Sequence, residues 1–228
     1  MTEPGRAESA AALAQCPRLA AGEPFDFVCA GCGDCCRNRR DLVLSGYDLY
    51  RIARGLGLPP RCSADAFCEQ EFAPQTLLPA VVLRPNARTG NCPFFEADAC
   101  TIHAARPLAC ALYPLGQAID PATAAMEYYV QLPLCGARVS AQEQRTLQNY
   151  LDDAAITARA GIDARWAVVC TQLSDKLQQA GGRENPRYLP AARRIARALY
   201  FDYSIQDDFY PQFNANTQAL WPLLDKML

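Results

Sequence analysis

Apolar residues recur at helical spacing in several stretches of the chain. Leu49, Ile52, Ala53 and Leu56 share one face of a predicted helix. Ser45 and Asp48 begin it as a capping box, with Asp in the usual Glu position. Gly57 followed by Pro59 and Pro60 stops it. A second short helix is expected over residues 64–72. Trp166, Val169, Cys170, Leu173 and Leu177 form a longer apolar face, which Gly181 and Gly182 end. Leu189, Ala192, Ile195, Ala196 and Leu199 form another. Arg193, Arg194 and Arg197 lie on its polar side and read as a solvated face. The aromatic-rich tail from Phe201 is expected to pack on the body.

Other stretches carry strand patterns. Residues 77–83 are rich in Leu and Val and read as a strand despite Pro79 near its start. Residues 85–91 hold Asn, Thr and Gly and read as a turn. Residues 92–102 read as short extended pieces. Met126, Tyr128, Val130 and Leu132 alternate with Glu127, Tyr129 and Gln131, the period of a half-buried strand. No internal repeat is visible.

At 228 residues and 50% hydrophobic content the chain can bury a substantial core. A net charge of -2 and a pI near 5.5 argue against general nucleic-acid binding. The Ala-rich start lacks a basic region followed by an apolar run, so no signal peptide is expected. No stretch is apolar and long enough to span a bilayer. The expected compartment is the cytoplasm. There, clustered cysteines bind metal or do redox chemistry more often than they form disulfides.

The twelve cysteines are unevenly spread. Cys29, Cys32, Cys35 and Cys36 fall within eight residues, as Cys-Ala-Gly-Cys-Gly-Asp-Cys-Cys. Gly31 and Gly33 let the backbone turn tightly enough for the thiols to converge. Such a run suits a soft, thiophilic metal centre. Neighbouring side chains on an extended backbone point to opposite sides. Cys35 and Cys36 therefore either serve two centres or divide into one ligand and one packing thiol. Later cysteines carry local signatures: Cys92 in Asn-Cys-Pro-Phe-Phe, Cys100 in Cys-Thr-Ile-His, Cys110 at the end of Arg-Pro-Leu-Ala-Cys, and Cys135 in Leu-Cys-Gly.

Taken in order, these motifs resemble the CxxCxxCC family, also called YkgJ-type, of zinc- or iron-chelating cysteine-cluster proteins. The same domain occurs in flagellin lysine N-methylases. The resemblance covers about residues 25 to 137. It implies eight ligand thiols here: Cys29, Cys32, Cys35, Cys36, Cys92, Cys100, Cys110 and Cys135. His103 stands where the family usually has Tyr, and Ala111 where Arg often follows the Cys. Neither change removes a thiol. The missing Arg puts in doubt any anion-binding or substrate-orienting role at that place.

Eight thiols are twice the four ligands of one zinc ion or one cubane cluster. One tight run supplying three thiols, with distant cysteines supplying the rest, favours an iron-sulfur cluster, [4Fe-4S], with zinc as the alternative. Cys170 lies on an apolar helical face and reads as core. Cys16, Cys62 and Cys68 lie outside the motifs and are not read as ligands. His103, the only histidine, reads as a packed or hydrogen-bonding side chain. Arg106 either pairs with a cluster or an acid, or caps a surface turn. Tyr128 and Tyr129 read as strand residues. Nucleotide-binding and radical S-adenosylmethionine signatures are absent. An enzyme reading, a cluster-dependent protein-modifying activity like the lysine N-methylases, therefore rests on the resemblance alone.

The expected fold is α+β: a small cysteine-rich metal-binding domain with short strands over residues 25–139, after a flexible lead-in over 1–24. A helical extension over 140–228 packs on it. The expected function is metal binding, with no catalytic residue assigned. The expected partner is a protein or redox partner, with no nucleic acid and no membrane.

Overall fold

The computed structural model describes residues 15–27, 29, 31–37, 39, 42–131 and 145–228. Short strands come first and helices dominate the C-terminal part. Among the described residues the strands are β1 (Arg18–Leu19), β2 (Val43–Leu44), β3 (Cys68–Phe72), β4 (Pro79–Leu83), β5 (Phe95–Glu96), β6 (Ala99–Cys100), β7 (Leu115–Ile119) and β8 (Met126–Val130). The helices are α1 (Gly46–Leu56), α2 (Pro60–Phe67), α3 (Leu108–Leu112), α4 (Leu147–Asp153), α5 (Ala160–Gln179), α6 (Tyr188–Ala196) and α7 (Phe209–Met227). All strand pairs are antiparallel. The fold is α+β, as the pattern predicts. None of the described helices is long and apolar enough to cross a membrane.

The chain divides into two compact units, each built from two separate segments. The first comprises residues 1–35 and 108–167. Its sheet has the order β1-β8-β7. Within the segment read as a lead-in, Arg18 and Leu19 pair with Tyr129 and Tyr128 of the predicted strand β8. The core of this unit gathers Phe25, Ala111, Leu112, Leu115, Leu147, Leu151 and Ile156. Thr146 caps α4 reciprocally with Asn149. Arg159 and Asp163, both buried, form a two-pronged ion pair at 2.7 and 2.8 Å. Its fork geometry meets part of the hydrogen-bonding demand of a buried charge.

The second unit comprises residues 36–107 and 168–228. It contains the sheet β2-β4-β3 and the hairpin β5-β6. Central strand β4 is buried along nearly its whole length, which explains its unbroken apolar run. Pro79 is tolerated because it is the first strand residue. Helix α1 has the predicted Ser45–Asp48 capping box and ends on left-handed Gly57 (φ 67°). Leu44, Leu49, Ile52, Val81, Leu173, Leu177, Ile195, Leu199, Phe213 and Leu224 are almost fully buried.

Two expectations need correction. The helix expected over residues 64–72 starts at Pro60, a favoured first-turn position, and ends at Phe67. Cys68 to Phe72 instead pair along β4, because strand pairing overrides the good helix propensity of Glu and Gln. Leu189 is 51% exposed. Tyr188 takes the inward position instead, donating its hydroxyl to the Leu77 carbonyl at 2.8 Å. Helix α6 also runs on into a π-turn over Arg197–Phe201, where Asp202 N–H reaches back to the Arg197 carbonyl. The tail from Phe201 packs as expected: Tyr203, Phe209 and Phe213 are buried in a ladder of stacked rings.

Candidate metal centre

The described residues of the cysteine-rich run end in one 3-10 turn over Asp34–Cys36. Gly31 and Gly33 both adopt left-handed backbone, with φ of 66° and 73°. A Cβ on Gly31 would meet nothing within 4 Å, so the backbone angle, not crowding, calls for glycine there. Cys29 and Cys32 are exposed, and Cys35 and Cys36 are half-buried. Cys35 and Cys36 lie in a turn, so the opposite-sides argument for an extended backbone does not apply to them.

In the first unit, Cys110 sits half-buried in the short helix α3. The Tyr150 hydroxyl reaches two carbonyls just beyond it, Ala111 at 3.0 Å and Tyr113 at 2.8 Å. Ala111 itself is buried in the core cluster. The small residue at this departure from the motif pattern thus has a packing role, and a long cationic side chain would not fit that core.

In the second unit, Cys36, Cys92 and Cys100 lie on connected backbone. Cys92 N–H donates to the Cys36 carbonyl at 2.8 Å, and Phe95 N–H donates to the Cys92 carbonyl at 3.1 Å. Phe95 is then paired directly across from Cys100 in the β5-β6 hairpin. Ala97 and Asp98 turn the hairpin, both with positive φ (47° and 58°), as a two-residue primed turn requires. Cys92 is buried beside Phe94, whose ring centroid lies 4.7 Å from that of Phe67. Arg37, next to Cys36, bonds Asp98 at 2.8 Å and stands 4.9 Å from the centre of the Phe95 ring.

His103 is exposed, on a 3-10 turn over His103–Ala105. The Arg106 guanidinium contacts both ring nitrogens, Nδ1 at 3.2 Å. Partial desolvation and then the Arg106 charge push the imidazole below its ordinary pKa. This is the hydrogen-bonding histidine that the sequence suggests, and it identifies the partner of Arg106. The turn is held from α1: Arg51 donates to the carbonyls of Ala104 at 2.7 Å and Arg106 at 3.4 Å.

The cysteines outside the motifs behave differently. Burial pushes the Cys68 thiol up to about 12, with Arg84 pulling weakly the other way. Such a thiol is a poor source of ligand thiolate. Cys62 is exposed on α2, and Cys16 and Cys170 are half-buried. Cys135 lies outside the described residues. Among the described residues no group of three or more His, Cys, Asp or Glu side chains is arranged to hold a metal ion. What the structure does bring together is the backbone of the Cys36, Cys92 and Cys100 segments.

Arg37, Arg51 and Tyr150 support these segments and were not singled out from the sequence. Only Arg37, as a cation directly after the paired cysteines, carried a readable signal.

Residues 28–136 match the model of a family described as a putative zinc- or iron-chelating domain. No curated protein and no solved structure matches the chain.

Proposed function

We propose, from the match of residues 28–136 to a putative zinc- or iron-chelating domain, that the chain holds an iron-sulfur cluster through its clustered cysteines. The proposed ligands are drawn from Cys29, Cys32, Cys35, Cys36, Cys92, Cys100, Cys110 and Cys135, eight thiols where one cubane cluster takes four. Zinc is the other metal the family description admits.

The observation that carries the reading is the Cys92 to Cys36 backbone bond, which joins the end of the cysteine run to the segment of the later motifs. The donor chemistry fits as well. Thiolates are soft ligands suited to iron-sulfur clusters and zinc. The two left-handed glycines bend the loop as closely spaced ligands require. His103 is engaged by Arg106, which supports a cysteine-only ligand set. Were every position filled by a protein thiolate, the centre would have no site for the bound water that Lewis-acid hydrolysis needs. A bound cluster supplies one-electron transfer or structural cross-linking.

The test is elemental and acid-labile sulfide analysis of anaerobically purified protein. Iron with matching sulfide supports the cluster. Zinc without sulfide supports the zinc alternative and rejects the cluster.

A further inference from the structure

We propose that Arg37 is a positioning residue for the metal centre, clamping the peptide of Cys36 to the hairpin that carries Cys100. This rests on the metal reading above. Arg37 follows Cys36 directly, and its guanidinium grips the hairpin twice. It bonds the turn residue Asp98 at 2.8 Å and lies over the Phe95 ring at 4.9 Å. Phe95 is the cross-strand partner of Cys100.

The hairpin needs such a hold. Each of its strands has only two residues, and a two-stranded ribbon that short is not stable alone. The Cys92 N–H bond fixes one end of the segment to the Cys36 carbonyl. Arg37 fixes the other end, the turn and the strand opposite Cys100. Together they set the spacing between Cys36 and Cys100. A planar guanidinium can bond a carboxylate and lie over a ring at once, whereas an ammonium bonds as a point charge. An exposed ion pair adds little to global stability, so the role shows in the centre and not in the fold.

The experiment uses anaerobically purified, metal-loaded protein challenged with a chelator. Metal release and the visible absorption spectrum are followed alongside thermal unfolding. Arg37→Gln is expected to release metal about three- to tenfold faster, from the combined loss of an ion pair and a cation–π contact. Its spectrum changes, and its unfolding temperature stays near the wild-type value. Arg37→Lys recovers part of the loss. Asp98→Asn moves release in the same direction and adds nothing to Arg37→Gln.

Arg61 provides a matched control, because it pairs with Asp65 at 3.1 Å and lies 4.9 Å from the Phe201 ring centre. Arg61→Gln leaves release unchanged. Unchanged release and spectrum in Arg37→Gln, or an equal effect in Arg61→Gln, overturns the clamp. Wild-type protein that carries no metal defeats the metal reading itself, a different result from an unchanged release rate.

Discussion

The backbone N–H of Cys92 donates to the carbonyl of Cys36 at 2.8 Å. Residues far apart in the chain are thereby joined at the two cysteine motifs themselves. The sheet β2-β4-β3 and helices α1 and α2 fill the intervening sequence. That folded insert offsets the entropy of closing so long a loop.

Thiol reactivity follows burial. In metal-stripped, folded protein, exposed Cys29 and Cys62 are alkylated early by iodoacetamide. Cys68 is modified last, because burial holds its thiol up at about 12. Mass spectrometry of timed samples checks the order. Early labelling of Cys68 contradicts the buried, protonated thiol.

The loop glycine Gly31 is required for its backbone angle. Gly31→Ala places a side chain in left-handed backbone at a cost of about 1–2 kcal/mol. Gly31→Asn costs less, because Asn tolerates that region better. Chelator competition is expected to rank metal affinity as wild type, then Asn, then Ala. Equal affinity in all three would show that the loop does not need this turn.

The Tyr150 hydroxyl secures the turn after Cys110. Tyr150→Phe removes its bonds to the Ala111 and Tyr113 carbonyls while keeping the ring packed against Phe25, 5.0 Å between centroids. The expected loss is about 1–2 kcal/mol in urea unfolding. Hydrogen exchange should quicken around residues 110–113. A loss confined to distant helices would not fit this role.

His103 sets a modest pH dependence. Its folded pKa lies below the ordinary 6.5, through desolvation and then the Arg106 charge. As pH falls below 6.5 the unfolded chain gains a proton before the folded chain does, so stability declines on the acid side. The effect is small because the ring is exposed and screened. Urea midpoints between neutral and mildly acid pH should fall less in His103→Gln than in wild type. Metal content should be the same in both. A variant that loses metal would make the imidazole a ligand.

Much of the fold was legible where local chemistry and packing agree. Ser45, Asp48 and Gly57 specify the ends of α1, and the structure keeps all three. The Leu and Val run of β4 and the alternation in β8 were also readable. Strand β3 was not, because its partner β4 decides it and no local preference does. Strand β7 escaped for the same reason: Gly116, Gln117 and Ala118 are poor strand formers that pair with β8. At the candidate site, the ordered cysteine motifs and the family resemblance they carry supplied the proposed ligand set. The position of Arg37 directly after Cys36 was readable, but its partners Phe95 and Asp98 lie on a separate segment that spacing along the chain does not reveal.

The central claim is that the motif cysteines hold the metal. It is tested most directly by iron and acid-labile sulfide per chain in anaerobically purified wild type, Cys36→Ser and Cys68→Ser. The account predicts iron with matching sulfide in wild type and in Cys68→Ser, and a sharp loss of both in Cys36→Ser. Equal metal in all three proteins, or none in the wild type, would contradict it.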